Sequence, residues 1–169
     1  MEILGMSTED IRQYARIMAE TLAMMHWIAE IDGNDIEFVL APPDRSHAGY
    51  PFSDKNEQGF SKIGLQIESQ LLHTHRMWVL DFDLCRDMAM DLKGVEQAAI
   101  AFWRNDPYYP RPDKVLENDR SPWAIFREHY IQPSEIYIGI VVEEPLEVER
   151  RGALSKQFIE LVEQGNKDP

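Results

Sequence analysis

The sequence predicts a mainly helical α+β fold, and three observations carry that expectation. Apolar residues recur at three- and four-residue steps in several long segments, the spacing of one buried helix face. Short β-prone runs stand between them, cut off by proline and charge. The chain has 169 residues, 44% of them hydrophobic and 28% charged, enough to close a core without disulfides or a structural metal. A single domain over 1–169 is expected.

Ser7 followed by Asp10 reads as a helix N-cap with an acidic first turn, and Ile11, Ala15, Met18, Leu22, Met25 and Ala29 continue an amphipathic helix towards Gly33. Ile36 to Ala41 is β-prone and stops at Pro42-Pro43, so it reads as a strand. From Asp44 to Phe60 the composition turns to Pro, Gly, Ser, Asn and charge, which predicts an exposed loop over 44–60. Met77 to Phe82 is a second strand, with a partner in Ile63 to Leu72. Val95, Ala98, Ala99, Phe102 and Trp103 mark a helix face halted by Asn105-Asp106-Pro107. Ser121-Pro122 starts a helix running to Tyr130, Ile136 to Val142 is a third strand candidate, and Ala153 to Gln164 is a last helix closed by Gly165. The acids Glu143, Glu144, Glu147 and Glu149 read as a solvated face.

Seventeen basic residues against thirty acidic ones give a formal charge of −13, whose field repels phosphate backbones and anionic lipid. Nucleic acid and membrane surfaces are excluded as expected partners. A lone cysteine, Cys85, fits a reducing compartment, and neither a signal peptide nor a membrane span is apparent, so a cytoplasmic or nuclear protein is expected.

Two acidic segments sit where a strand meets a turn, from which a fixed backbone can aim a carboxylate into a cleft. They are Asp32-Gly33-Asn34-Asp35-Ile36-Glu37-Phe38-Val39-Leu40 and Trp78-Val79-Leu80-Asp81-Phe82-Asp83. The first resembles the catalytic loop of protein kinases and aminoglycoside phosphotransferases, with Asp32 at the catalytic position and Glu37 at the position of the metal-binding Asn. The second resembles the Asp-Phe-Gly element, with Asp81 at the metal-bridging position and Asp83 in place of the glycine. The resemblance implies a C-terminal kinase-like lobe in which Asp32, Glu37 and Asp81 converge on one cleft and Glu37 and Asp81 hold Mg²⁺. It departs from the pattern at Glu30 and Ile31, where His-Arg or His-Gly is usual, and no Gly-rich loop or strand lysine for a nucleotide is found upstream. The alternative is that Asp32 and Asp35 are solvated turn acids. Asp81, between Leu80 and Phe82, must be hydrogen-bonded, paired or exposed.

His73 and His75 share one strand face, with His26, His47 and His129 elsewhere, but no Cys-x-x-Cys and no His-x-x-x-His accompanies them, so they are not read as zinc ligands. Cys85 reads as a packed side chain, since no adjacent basic group lowers its pKa. Phe102 to Pro112, ending in Asn-Asp-Pro-Tyr-Tyr-Pro-Arg-Pro, reads as a rigid packed connection.

Together with His26-Trp27 and Asp-Ile-Glu-Phe-Val-Leu, these stretches resemble, over about residues 15–131, a fungal family of unknown function whose members are sometimes labelled zinc-finger proteins. That resemblance implies a fungal source. The expected function is a non-catalytic kinase-like binding or scaffolding domain for a protein or small-molecule ligand. The alternatives are a phosphotransferase whose nucleotide lobe is missing or supplied by another chain, and a metal-stabilised interaction module.

Overall fold

In the computed structural model the described residues are 6–42, 66–69, 71–105, 109–112 and 121–165. They form a mainly helical α+β arrangement: α1 (Thr8–Trp27), β1 (Glu37–Ala41), β2 (Gln66–Ser69), β3 (His73–Leu80), α2 (Leu92–Arg104), α3 (Pro122–Val141) and α4 (Pro145–Gln164). The predicted loop 44–60 lies outside the described residues.

α1 opens on a capping box. Asp10 N–H donates to Ser7 Oγ at 3.1 Å while Ser7 N–H donates to Asp10 Oδ2 at 3.2 Å, satisfying two donors that the first turn leaves free. The helix ends at Trp27 and not near Gly33, because the chain turns away through Glu30, whose φ is +53°, to make a bridge between Ile31 and Asp87. Its buried face includes Ala15, Ala19 and Ala23, small residues that let α1 lie close along α3.

α3 corrects the expected strand over Ile136 to Val142. Those residues are mostly β-branched and run as helix to Val141. Phe126, Tyr130, Ser134 and Ile138 are fully buried at four-residue steps, whereas Ile136 and Ile140 lie in solvent. A strand would bury alternate residues, so burial against α1 and α4 overrides propensity here. Pro133 stands inside the helix, where it removes one backbone donor. Ser134 Oγ donates to the Tyr130 carbonyl at 2.6 Å in the same turn.

α4 starts earlier than expected, at Pro145, and its acidic first turn is not merely solvated. Glu147 accepts from Arg150 and Arg151, which hold its carboxyl at about 2, well below the usual range. Arg151 also reaches Glu30 at 2.7 Å and Arg150 the Met90 carbonyl at 2.6 Å, fastening α4 to the turns beside the sheet.

The sheet order is β1-β3-β2, with both pairings antiparallel. Phe38 lies opposite Val79 and Ile67 opposite His75, on the inward face. Val39 lies opposite Trp78 and Glu37 opposite Leu80, on the outward face. Ala19, Leu22, Trp27, Ile36, Phe102, Phe126, Tyr130 and Phe158 belong to one hydrophobic cluster that joins the helices to the inner edge of the sheet. No helix is long and apolar enough to cross a membrane among the described residues.

Candidate functional site

Asp32 ends the turn after α1, and its side chain is wholly enclosed. Oδ1 accepts Asn34 N–H at 3.1 Å and Arg86 N–H at 2.9 Å, while Oδ2 accepts Gln97 Nε2 at 2.8 Å and lies 3.6 Å from Arg86 Nε. The backbone adds Asp32 N–H to the Arg86 carbonyl and Met88 N–H to the Glu30 carbonyl. One carboxylate thus joins three pieces of chain: its own turn, the segment 84–88 and α2.

Gly33 and Asn105 extend this junction. Asn105 Nδ2 donates to the Gly33 carbonyl at 2.8 Å, and its Oδ1 accepts Asp35 N–H at 2.7 Å. Gly33 has φ +62°, and a Cβ there would stand 2.9 Å from Leu22 Cδ1. Turn handedness and close packing therefore both require glycine at this position.

The three acids assigned to one cleft are divided. Asp32 faces inward with its oxygens occupied, whereas Glu37 and Asp81 are exposed, Asp81 at φ +63° where β3 ends. Among the described residues, no group of three or more His, Cys, Asp or Glu is placed to hold a metal ion. The expectation of Mg²⁺ at Glu37 and Asp81 therefore rests on two exposed carboxylates. Cys85 donates to the Asn34 carbonyl at 3.6 Å. Burial, and then the nearby Asp32 carboxylate, push its thiol above the usual range, the opposite of what a thiolate nucleophile needs.

The buried histidines are committed elsewhere. His75 Nδ1 lies 2.8 Å from the His73 carbonyl, which can only accept, so Nδ1 carries a proton, and Nε2 is hydrogen-bonded with Tyr14 Oη at 2.9 Å. Trp27 Nε1 donates to Tyr130 Oη at 3.1 Å, leaving the hydroxyl proton for His26 Nδ1 at 2.9 Å. Burial pushes the His26 imidazole down to about 4, partly offset by neighbouring Asp32.

Between α1, the inner face of the sheet and the start of α3 lies a cavity of about 480 Å³. Met18, Phe38, Leu40, Met77 and Trp123 supply apolar walls, and Tyr14, Arg111 and Ser121 the polar groups. The volume falls within the roughly 300–1,000 Å³ of small-molecule sites, and an apolar lining with few polar groups is their usual chemistry. Arg111 is built into the wall: its guanidinium lies 4.9 Å from the Phe102 ring centre and 4.6 Å from that of Trp103, and Nη2 donates to the Asn105 carbonyl at 2.9 Å. The described part of the aromatic segment is thus a packed connection that also lines a cavity. Single residues do not announce this cavity, because its walls come from five separate stretches of the chain. Its only trace in the sequence is the cluster of aromatics and prolines at 102–112 and 121–123.

Residues 77–140, less than half of the chain, match a family model for a domain of unknown function described as a zinc finger protein. No curated protein and no solved structure matches the chain. The matched segment contains one cysteine, Cys85, and one histidine, His129. His129 lies 3.3 Å from Glu20 and accepts from Arg16 at 3.4 Å. A tetrahedral zinc site of thiolates and imidazoles does not fit the residues of that segment.

Proposed function

We propose that the chain is a non-catalytic binding domain with a kinase-like C-terminal-lobe arrangement, and that it takes an apolar small molecule in the cavity between α1, the sheet and α3. The observation that carries the reading is the cavity itself, of ligand size and lined by Met, Phe, Leu and Trp side chains that would gain from being covered. Its non-catalytic character is supported by Asp32. A general base must reach the proton it abstracts, and this carboxylate is enclosed, with both oxygens already accepting hydrogen bonds.

Leu40 lines the cavity from β1 and is 36% exposed, so Leu40→Trp adds bulk there without entering the packed core. Titration with the apolar dye 1-anilinonaphthalene-8-sulfonate at neutral pH should give stoichiometric binding and a raised melting temperature for the natural chain. Leu40→Trp should weaken dye binding at least tenfold without lowering the melting temperature. Dye binding that Leu40→Trp leaves unchanged, or no binding at all, overturns the proposal.

A further inference from the structure

The sheet has a second face, directed away from the cavity. We infer that this outer face, together with the exposed turn that follows Leu80, docks a protein segment whose aliphatic anchors are flanked by Lys or Arg. Val39 and Trp78 stand opposite each other across the β1-β3 ladder, and Leu80 follows Trp78 on the same face. Trp78 is 46% exposed, and beyond the strand end Phe82 is 50% and Leu84 56% exposed. Large apolar side chains gathered on one surface mark an interaction site more often than scattered ones do, and Trp and Phe are frequent anchors of protein interfaces.

Charge identifies the partner. Glu37 stands across the ladder from Leu80, Asp81 and Asp83 alternate with Leu80, Phe82 and Leu84, and Glu68 lies on the same side in β2. Arg76 on β3 is the basic residue within this face among the described strand residues, and nearby Arg86 is bound to Asp32. Acids therefore surround the apolar anchors, and they attract a basic partner and repel an acidic one. A second copy of this chain, with a net charge of −13, brings like charges together and is disfavoured. The inference stands apart from the cavity, which opens on the other side of the same sheet.

The test uses the full chain and a fluorescein-labelled amphipathic Leu/Lys peptide, with its Leu/Glu counterpart as control, followed by fluorescence anisotropy at physiological salt. The Leu/Lys peptide should bind and the Leu/Glu peptide should not. Trp78→Ser, which keeps every charge, and the double variant Asp81→Asn with Asp83→Asn, which keeps every apolar side chain, should each weaken binding about tenfold. Leu40→Trp, on the inward face of β1, should leave peptide binding unchanged, so failure of the cavity reading and failure of this one are told apart. Binding insensitive to Trp78→Ser reports charge adsorption alone and overturns the inference. So does self-association in sedimentation that Trp78→Ser abolishes, because the occupant is then a second copy. A Trp78 shielded from acrylamide in the isolated chain, judged against Trp78→Phe, also overturns it, since the face is then already covered.

Discussion

Asp32 and His26 are both buried and ionisable, and they lie close together in the fold, yet the structure treats them in opposite ways. Around Asp32 it gathers donors: two backbone N–H groups, the Gln97 amide and the Arg86 guanidinium. Around His26 it gathers aromatic rings and one hydroxyl, with Phe158 4.9 Å and Tyr130 5.7 Å away between ring centres. The Asp32 site suits a carboxylate, and the His26 site suits a neutral imidazole. Burial of a titratable group is thus no sign of chemistry until its partners are counted. Asp32, the acid with the strongest resemblance to a catalytic residue, is the one most fully used in holding the fold together.

Removing the Asp32 carboxylate should have the largest effect of any change in this comparison. Asp32→Ala leaves the N–H groups of Asn34 and Arg86 and the Gln97 amide without their acceptor, a loss of about 3–5 kcal/mol for the three hydrogen bonds together. Urea unfolding should show it. Asp32→Asn should recover part of the loss, since one acceptor oxygen remains. Stability unchanged in both variants would mean that the carboxylate does not hold the three pieces of chain together.

The His26 contrast is sharpened by pH. Its imidazole titrates near 6.5 when unfolded and at about 4 when folded, so below pH 6.5 the unfolded chain takes up a proton that the folded chain refuses. The contribution is complete above pH 6.5 and is lost as the pH falls towards 4, by about 3 kcal/mol in all. His26→Phe lacks this proton, so the gap between its stability and that of the natural chain should change by about that amount between pH 7 and pH 4. A gap independent of pH would mean that burial does not keep His26 neutral.

A smaller effect is expected at Gly33, which shapes the turn joining the two regions. Gly33→Ala places a Cβ at φ +62° and against Leu22 Cδ1, and should cost about 1–3 kcal/mol. Thermal melts of Gly33→Ala and of Gly139→Ala make the comparison, because Gly139 is helical and has open space around its Cβ position. Gly139→Ala should be neutral or stabilising. Equal losses at both positions would sink the turn argument.

Local order was written in short stretches of sequence. Ser7 and Asp10 declare the start of α1, Ser121-Pro122 that of α3, and Asn105 the end of α2, because caps act within a turn of the chain. Pro42 and Pro43 after Ala41 mark the end of β1, since proline cannot donate to a ladder. The mainly helical α+β class follows from such signals together with apolar spacing. The run Ile136 to Val142 misled because its β-branched composition is local, whereas the face it buries is chosen by α1 and α4.

What only the tertiary structure decided is the partnership of groups far apart in sequence. Nothing near Asp32 announces that Arg86 and Gln97 will meet its carboxylate, fifty-four and sixty-five residues away. The cavity walls from α1, β1, β3, Pro110-Arg111 and the start of α3, and the separation of Glu37 and Asp81 from Asp32, were equally hidden. A residue's type states what it can bond. Whether it meets water, a donor or an apolar wall depends on packing between distant segments, which spacing along the chain does not encode.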